Sequence, residues 1–185
     1  MARIERVLAA LDASLDLRVR WRGGELDRLL DQDHARLLEL SASRLAATGW
    51  LLRHEVSFNH YGDRGRIDQL GYDPATRTLL VTEAKTGIFD TQDLLGRLDV
   101  KERLAPEIAR RFGWRVERVV VVLVLADGRT NRRRIEQHPE LFGRFSCRGR
   151  GVAVWLKDPQ PLVGGLLVFE DLSSRRGASA CLTDT

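Results

Sequence analysis

The stretch Arg64–Gly87 reads RGRIDQLGYDPATRTLLVTEAKTG. Its middle, Asp73-Pro74-Ala75-Thr76-Arg77, has the makings of a tight turn, because proline presets φ and an aspartate before it can cap the turn's backbone. The flanks, Arg64 to Tyr72 and Thr78 to Thr86, then read as two strands of an antiparallel hairpin. Successive side chains of a strand point to opposite faces, so Glu83 and Lys85 share one face and Ala84 takes the other. With that pairing Asp68 sits beside Glu83, and an otherwise apolar run ends in two carboxylates and an ammonium. Crowded carboxylates resist ionisation, and a divalent cation removes the conflict. Magnesium takes oxygen ligands, keeps several waters and is commonly held by one or two carboxylates. Asp68, Glu83 and the backbone carbonyl of Ala84 are therefore the candidate metal ligands. Lys85 cannot ligate while charged, but it can orient a water or neutralise a phosphate. Without a metal the same residues would make a plain salt-bridged sheet edge. Glu55, in the preceding run WLLRHEVSF, is a further acid able to point into the same pocket.

The pattern around the hairpin predicts the rest of the fold. Residues 1–15 read as an amphipathic helix, broken by Trp21-Arg22-Gly23-Gly24, and a second helix is expected from Glu25 to Ala47. Trp50 to Phe58 is a strand candidate and Asn59 to Asp63 a loop. A long helix is expected from Asp90 to Phe112, kinked or divided by Pro106, which removes an N–H and crowds the previous turn. Val116 to Ala126 has no polar face, so it belongs in the middle of a covered sheet. A short basic helix, Thr130 to Gln137, and two short strands, Val152 to Leu156 and Leu166 to Phe169, complete the reading. The order predicts an α/β fold, a mixed central sheet flanked by helices. Residues 1–24 form a helical extension, residues 25–172 a single domain and residues 173–185 a polar tail.

Composition sets the class. Of 185 residues 43% are hydrophobic, enough to bury a core, which excludes a disordered chain. No run approaches the roughly 18 to 20 apolar residues that span a bilayer, and the N-terminus carries acids where a signal peptide would be apolar. The expectation is a soluble, cytoplasmic protein with no membrane partner. Cys147 and Cys181 stand apart with no metal-ligand spacing and read as reduced thiols. A sequence pI near 9.6 with clustered arginine fits a polyanionic partner, although a solvated basic face has the same composition. Asp93, Arg97 and Lys101 recur at four-residue spacing, either as a surface ion-pair ladder or with Arg97 and Lys101 turned to a phosphate. Arg132, Arg133 and Arg134 could track a nucleic-acid backbone or simply face solvent. The four tryptophans read as core. No zinc finger or helix-turn-helix is visible, so sequence specificity would have to come from loops, from a homodimer or from a separate recognition subunit.

An acid on one strand, Ile67-Asp68, 14 intervening residues, and Glu83-Ala84-Lys85 ending an apolar strand before a helix together resemble the PD-(D/E)xK nuclease superfamily. That superfamily includes restriction endonucleases and Holliday-junction resolvases. The resemblance runs over roughly Glu25 to Val124. More narrowly, the run from HARLLEL through TEAKT is similar to a group of small actinobacterial-type members. It implies a restriction-endonuclease-like αβββαβ core and Mg²⁺- or Mn²⁺-dependent hydrolysis of phosphodiester bonds, with DNA the expected partner. It implies Asp68 and Glu83 as metal ligands, Lys85 as catalytic lysine and Glu55 as an accessory acid. Relatives that resemble resolvases use a helix glutamate near the metal, a part that Glu39 could take, although a surface glutamate is the commoner reading; His34 on the same helix either touches the site or is a capping or packing histidine. Ile67 stands where the name-giving proline would be, and the glutamine–tyrosine motif of exonuclease-type relatives is missing after Lys85. The alternative function is a non-catalytic scaffold that binds DNA or protein with the same fold. An RNase would share the same site.

Overall fold

The computed structural model describes residues 24–60 and 62–173. The expected helix at residues 1–15, Trp21 and most of the polar tail lie outside them. The elements are α1 (Gly24–Ala46), β1 (Leu51–His60), β2 (Asp63–Asp73), β3 (Thr78–Lys85), α2 (Thr91–Arg110), β4 (Arg118–Ala126), α3 (Arg129–Gln137), α4 (Pro139–Phe142), β5 (Cys147–Arg148), α5 (Arg150–Lys157) and β6 (Leu166–Glu170). They build an α/β fold with a six-stranded mixed sheet in the order β1-β2-β3-β4-β6-β5. The first three strands are antiparallel, and β3, β4, β6 and β5 are parallel.

The hairpin forms as its turn chemistry demands. Asp73 accepts hydrogen bonds from the Thr76 amide at 3.0 Å and the Thr76 hydroxyl at 2.5 Å, and Arg77 takes the left-handed φ of 53° that closes the turn. The register runs from Asp73 opposite Thr78 to Gln69 opposite Thr82. β4 is buried from Val120 to Leu125 and lies between β3 and β6, as a strand without a polar face must.

Helices cover both faces. On one face α1 and α5 pack Leu37, Leu45, Val152, Trp155 and Leu156 over Leu80, Val122 and Val124. On the other, α2 packs Leu94, Leu98, Ala105 and Ile108 over Leu79, Val81 and Leu123. The tryptophans within the described residues are core residues: Trp50 lies 6.0 Å from Trp155, and Trp114 stacks on Tyr72 at 5.1 Å.

Three expectations are corrected. Val152 to Leu156 is not a strand but the heart of α5, since Val152, Trp155 and Leu156 recur at three- and four-residue steps and bury one side of a helix. Pro106 does not divide α2, because Leu104, Ala105, Ile108 and Ala109 hold both sides of it against the sheet. The loop expected at 59–63 shrinks, because β1 runs on to His60 and β2 starts at Asp63.

The β1–β2 arm also bends. Leu52 and Gly71 lie against the α1 face, and strict alternation would keep Val56, Phe58 and Ile67 there. Instead these three join the α2-side cluster. The change comes at Glu55, whose φ of 50° interrupts β1 between the His54–Gln69 and Val56–Ile67 pairs. Beyond it the arm rolls onto α2, held by Asp63–Arg103 at 2.7 Å, His60–Glu107 at 3.3 Å and the Arg111 guanidinium on the Ser57 carbonyl at 3.0 Å.

Candidate active site

The rolled arm and α2 enclose an open cavity of about 670 Å³ at the end of β3. The arm supplies Phe58, Arg64 and Arg66 to its wall, α2 supplies Arg97, Val100 and Lys101, and Asp68, Glu83 and Lys85 come from the sheet. The hairpin register, continued one step past Gln69–Thr82, sets Asp68 opposite Glu83. The ladder stops there because the Asp68 carboxylate replaces the backbone, with Oδ2 accepting the Ala84 N–H at 2.8 Å. The N–H and C=O of one strand residue point to the same side, so the Ala84 carbonyl also faces β2, past the last ladder pair.

Glu83 is 2% exposed, and its charge is met by two ammonium groups. Lys85 reaches Oε1 at 2.8 Å, and Lys101 donates to Oε2. Burial pushes the Asp68 carboxyl above its ordinary range, and the neighbouring Glu83 adds to the shift. The Ala84 amide, Lys101 and His34 act in the opposite direction. His34, half-buried on α1, is thus electrostatically in touch with Asp68. Glu39 is exposed and, five residues further on, lies about 140° round the helix from His34.

The predicted residues divide clearly. Asp68, Glu83 and Lys85 come together on the cavity floor. Glu55 does not line the cavity; its side chain is 62% exposed and stands 3.5 Å from Arg66, since its left-handed backbone turns it off the strand's regular direction. Arg97 is on the rim and ion-paired to Asp93 at 2.9 Å, one rung of the expected surface ladder. Lys101 does not continue that ladder to the surface; it is buried on Glu83. Arg132 is bound to Asp127 at 2.7 Å, lies 4.4 Å over the Phe169 ring and, like Arg133 and Arg134, is not part of the cavity wall.

Two roles escape the sequence reading, the buried pairing of Lys101 with Glu83 and the bridging by Asn131. Lys101 occupies a position on the buried stripe of α2, three residues after Leu98 and three before Leu104, and a lysine on such a stripe is the signal for a buried partner. Asn131 on α3 is 4% exposed; its amide donates to the carbonyls of Thr86 at 3.0 Å and Ala126 at 2.8 Å, and its oxygen accepts the Ile88 N–H at 3.2 Å. It thereby ties the segment after Lys85 to the end of β4.

Among the described residues no group of three or more His, Cys, Asp or Glu side chains is placed to hold a metal ion; of the four acids lining the cavity, Asp63 and Asp93 are ion-paired to Arg103 and Arg97, and Asp68 and Glu83 lie side by side at the end of β3. No described helix is long and apolar enough to cross a membrane. Comparison with protein-family models and with curated proteins finds no match for the sequence.

Proposed function

We propose that this chain is a Mg²⁺- or Mn²⁺-dependent nuclease that hydrolyses phosphodiester bonds, with DNA as substrate. The observation that carries the reading is the meeting of Asp68, Glu83 and Lys85 on the floor of an open cavity walled by Arg64, Arg66 and Arg97. The element order α1-β1-β2-β3-α2-β4 supports a restriction-endonuclease-like core.

The acid pair fits a divalent ion. Asp68 resists ionisation chiefly because it is buried, and Glu83 beside it adds to the effect; a cation between the two would offset both. Two carboxylates, with the Ala84 carbonyl facing the same way, are an ordinary complement for a magnesium ion that keeps its other waters. When bound, the ion would polarise a water and neutralise phosphate charge. Asp68 and Glu83 would hold it. The Lys85 ammonium would stabilise the charge that develops on the phosphoryl oxygens. Arg64, Arg66 and Arg97 would bind flanking phosphates, and the cavity's openness suits a polymer strand.

The test is cleavage of linear duplex, branched and single-stranded DNA, and of RNA, in Mg²⁺ and in Mn²⁺. The expected result is metal-dependent cleavage that falls by about two or more powers of ten in Asp68→Ala and in Lys85→Met. Cleavage that survives Asp68→Ala, or no cleavage of any substrate, would overturn the reading and favour the non-catalytic scaffold.

A further inference from the structure

Lysine is scarce in this chain: of 30 basic residues, only Lys85, Lys101 and Lys157 are lysines. Two of the three converge on a single buried carboxylate, Lys85 on Oε1 of Glu83 and Lys101 on Oε2. They are held differently. The Lys101 side chain is 9% exposed and descends from the buried stripe of α2. The Lys85 side chain is 40% exposed and opens into the cavity. Each oxygen of Glu83 already carries an ammonium, so a divalent ion entering from the cavity meets a like charge at either oxygen, and that repulsion favours the departure of one ammonium. Lys85 has solvent to move into. Lys101 would have to leave its charge buried and unpaired, which is the costlier outcome.

We propose that Lys101 is a resident counter-cation for Glu83, and that a divalent ion binding between Asp68 and Glu83 releases Lys85, not Lys101, into the cavity. The inference rests on reading the acid pair as a metal site. Lys101 is then a positioning residue. It keeps Glu83 compatible with burial when no ion is bound, and it fixes the carboxylate so that one oxygen stays available. The freeing of the Lys85 ammonium becomes a consequence of metal loading. A lysine suits the task, because an ammonium is a compact point charge able to share a carboxylate with a second cation.

The test is acylation of lysine amines by an N-hydroxysuccinimide ester on the wild-type chain, read residue by residue by mass spectrometry, with and without saturating Mg²⁺. Exposed Lys157 on α5 is the internal reference. The expected result is a several-fold rise of Lys85 labelling relative to Lys157 when Mg²⁺ is added, with Lys101 protected in both states. Labelling of Lys101 on metal addition, or no change at Lys85 while calorimetry records binding, would overturn the inference and leave the metal site standing. Calorimetry that records no Mg²⁺ binding would overturn both. A second measurement uses Lys101→Met. Removing a unit positive charge a few ångströms from a dication should tighten Mg²⁺ on the order of tenfold, and an unchanged affinity would count against the counter-cation role.

Discussion

Replacing Lys101 with methionine keeps most of the apolar stem in the α2 stripe and removes the ammonium from Glu83. In metal-free protein the cost follows from the burial of the acid, which is 2% exposed. Removing one partner of a buried ion pair costs about 3–5 kcal/mol, because the other charge is left uncompensated. Here Lys85 remains 2.8 Å from Oε1, so part of the compensation survives. A charge-assisted hydrogen bond is worth about 1.5–3 kcal/mol, which brings the expected loss to about 2–3 kcal/mol. In a domain of this size 1 kcal/mol moves Tm by about 2–4 °C, so the midpoint should fall by about 4–12 °C. Urea and thermal unfolding in a chelator, followed by circular dichroism, would measure it. The companion variant, Glu83→Gln with Lys101→Met, removes both charges and should recover a large part of the loss. Lys101→Met within about 0.5 kcal/mol of wild type, the range of an ordinary surface substitution, would refute the reasoning. A double variant less stable than the single one would do the same.

Asp68 makes a pH-dependent prediction. Its carboxyl is raised above the ordinary 3.8, chiefly by burial, so the folded state holds the proton more tightly than the unfolded chain. Metal-free wild type should therefore lose stability as pH rises from about 3.8 through the raised value and lose no more from this group above it. Asp68→Asn should flatten that limb, since its amide oxygen can still accept the Ala84 N–H; urea midpoints that track wild type across the limb would contradict this. Asn131→Ala leaves the Thr86 and Ala126 carbonyls and the Ile88 amide without their partner, at a cost of about 2–4 kcal/mol. Hydrogen exchange at Ile88 should rise sharply, and unchanged protection there would remove Asn131 from the support of the segment after Lys85.

What could be read from the sequence was whatever local chemistry controls. Asp73-Pro74 dictates a turn, the turn sets a register, and the register puts Asp68 opposite Glu83. The uniform apolarity of Val119 to Leu125 likewise fixes an inner strand. Harder to read were features decided at a distance. Val152-Ala153-Val154-Trp155 has the composition of a strand, but only the packing of Val152, Trp155 and Leu156 against the sheet selects a helix. Glu55 alternates correctly on paper, yet a left-handed backbone at that residue turns it out to Arg66. Lys101 fits two helical spacings at once, the charged row of Asp93 and Arg97 and the apolar row of Leu98 and Leu104, and only burial decides between them.

The left-handed residue in β1 has a consequence for the molecule in a crowded solution. Among the described residues β1 is the outermost strand of the sheet, and ten residues of straight edge would offer a long row of unpaired N–H and C=O groups to any other extended chain. Glu55 divides that row and places an exposed carboxylate at the break, while the distal half is bent away onto α2. Among the described residues the opposite border ends in the two-residue strand β5 beside the five-residue β6. Straightening the break, as a β-branched substitution at Glu55 would favour, should raise the tendency to form fibrils even if the fold and the cavity are untouched.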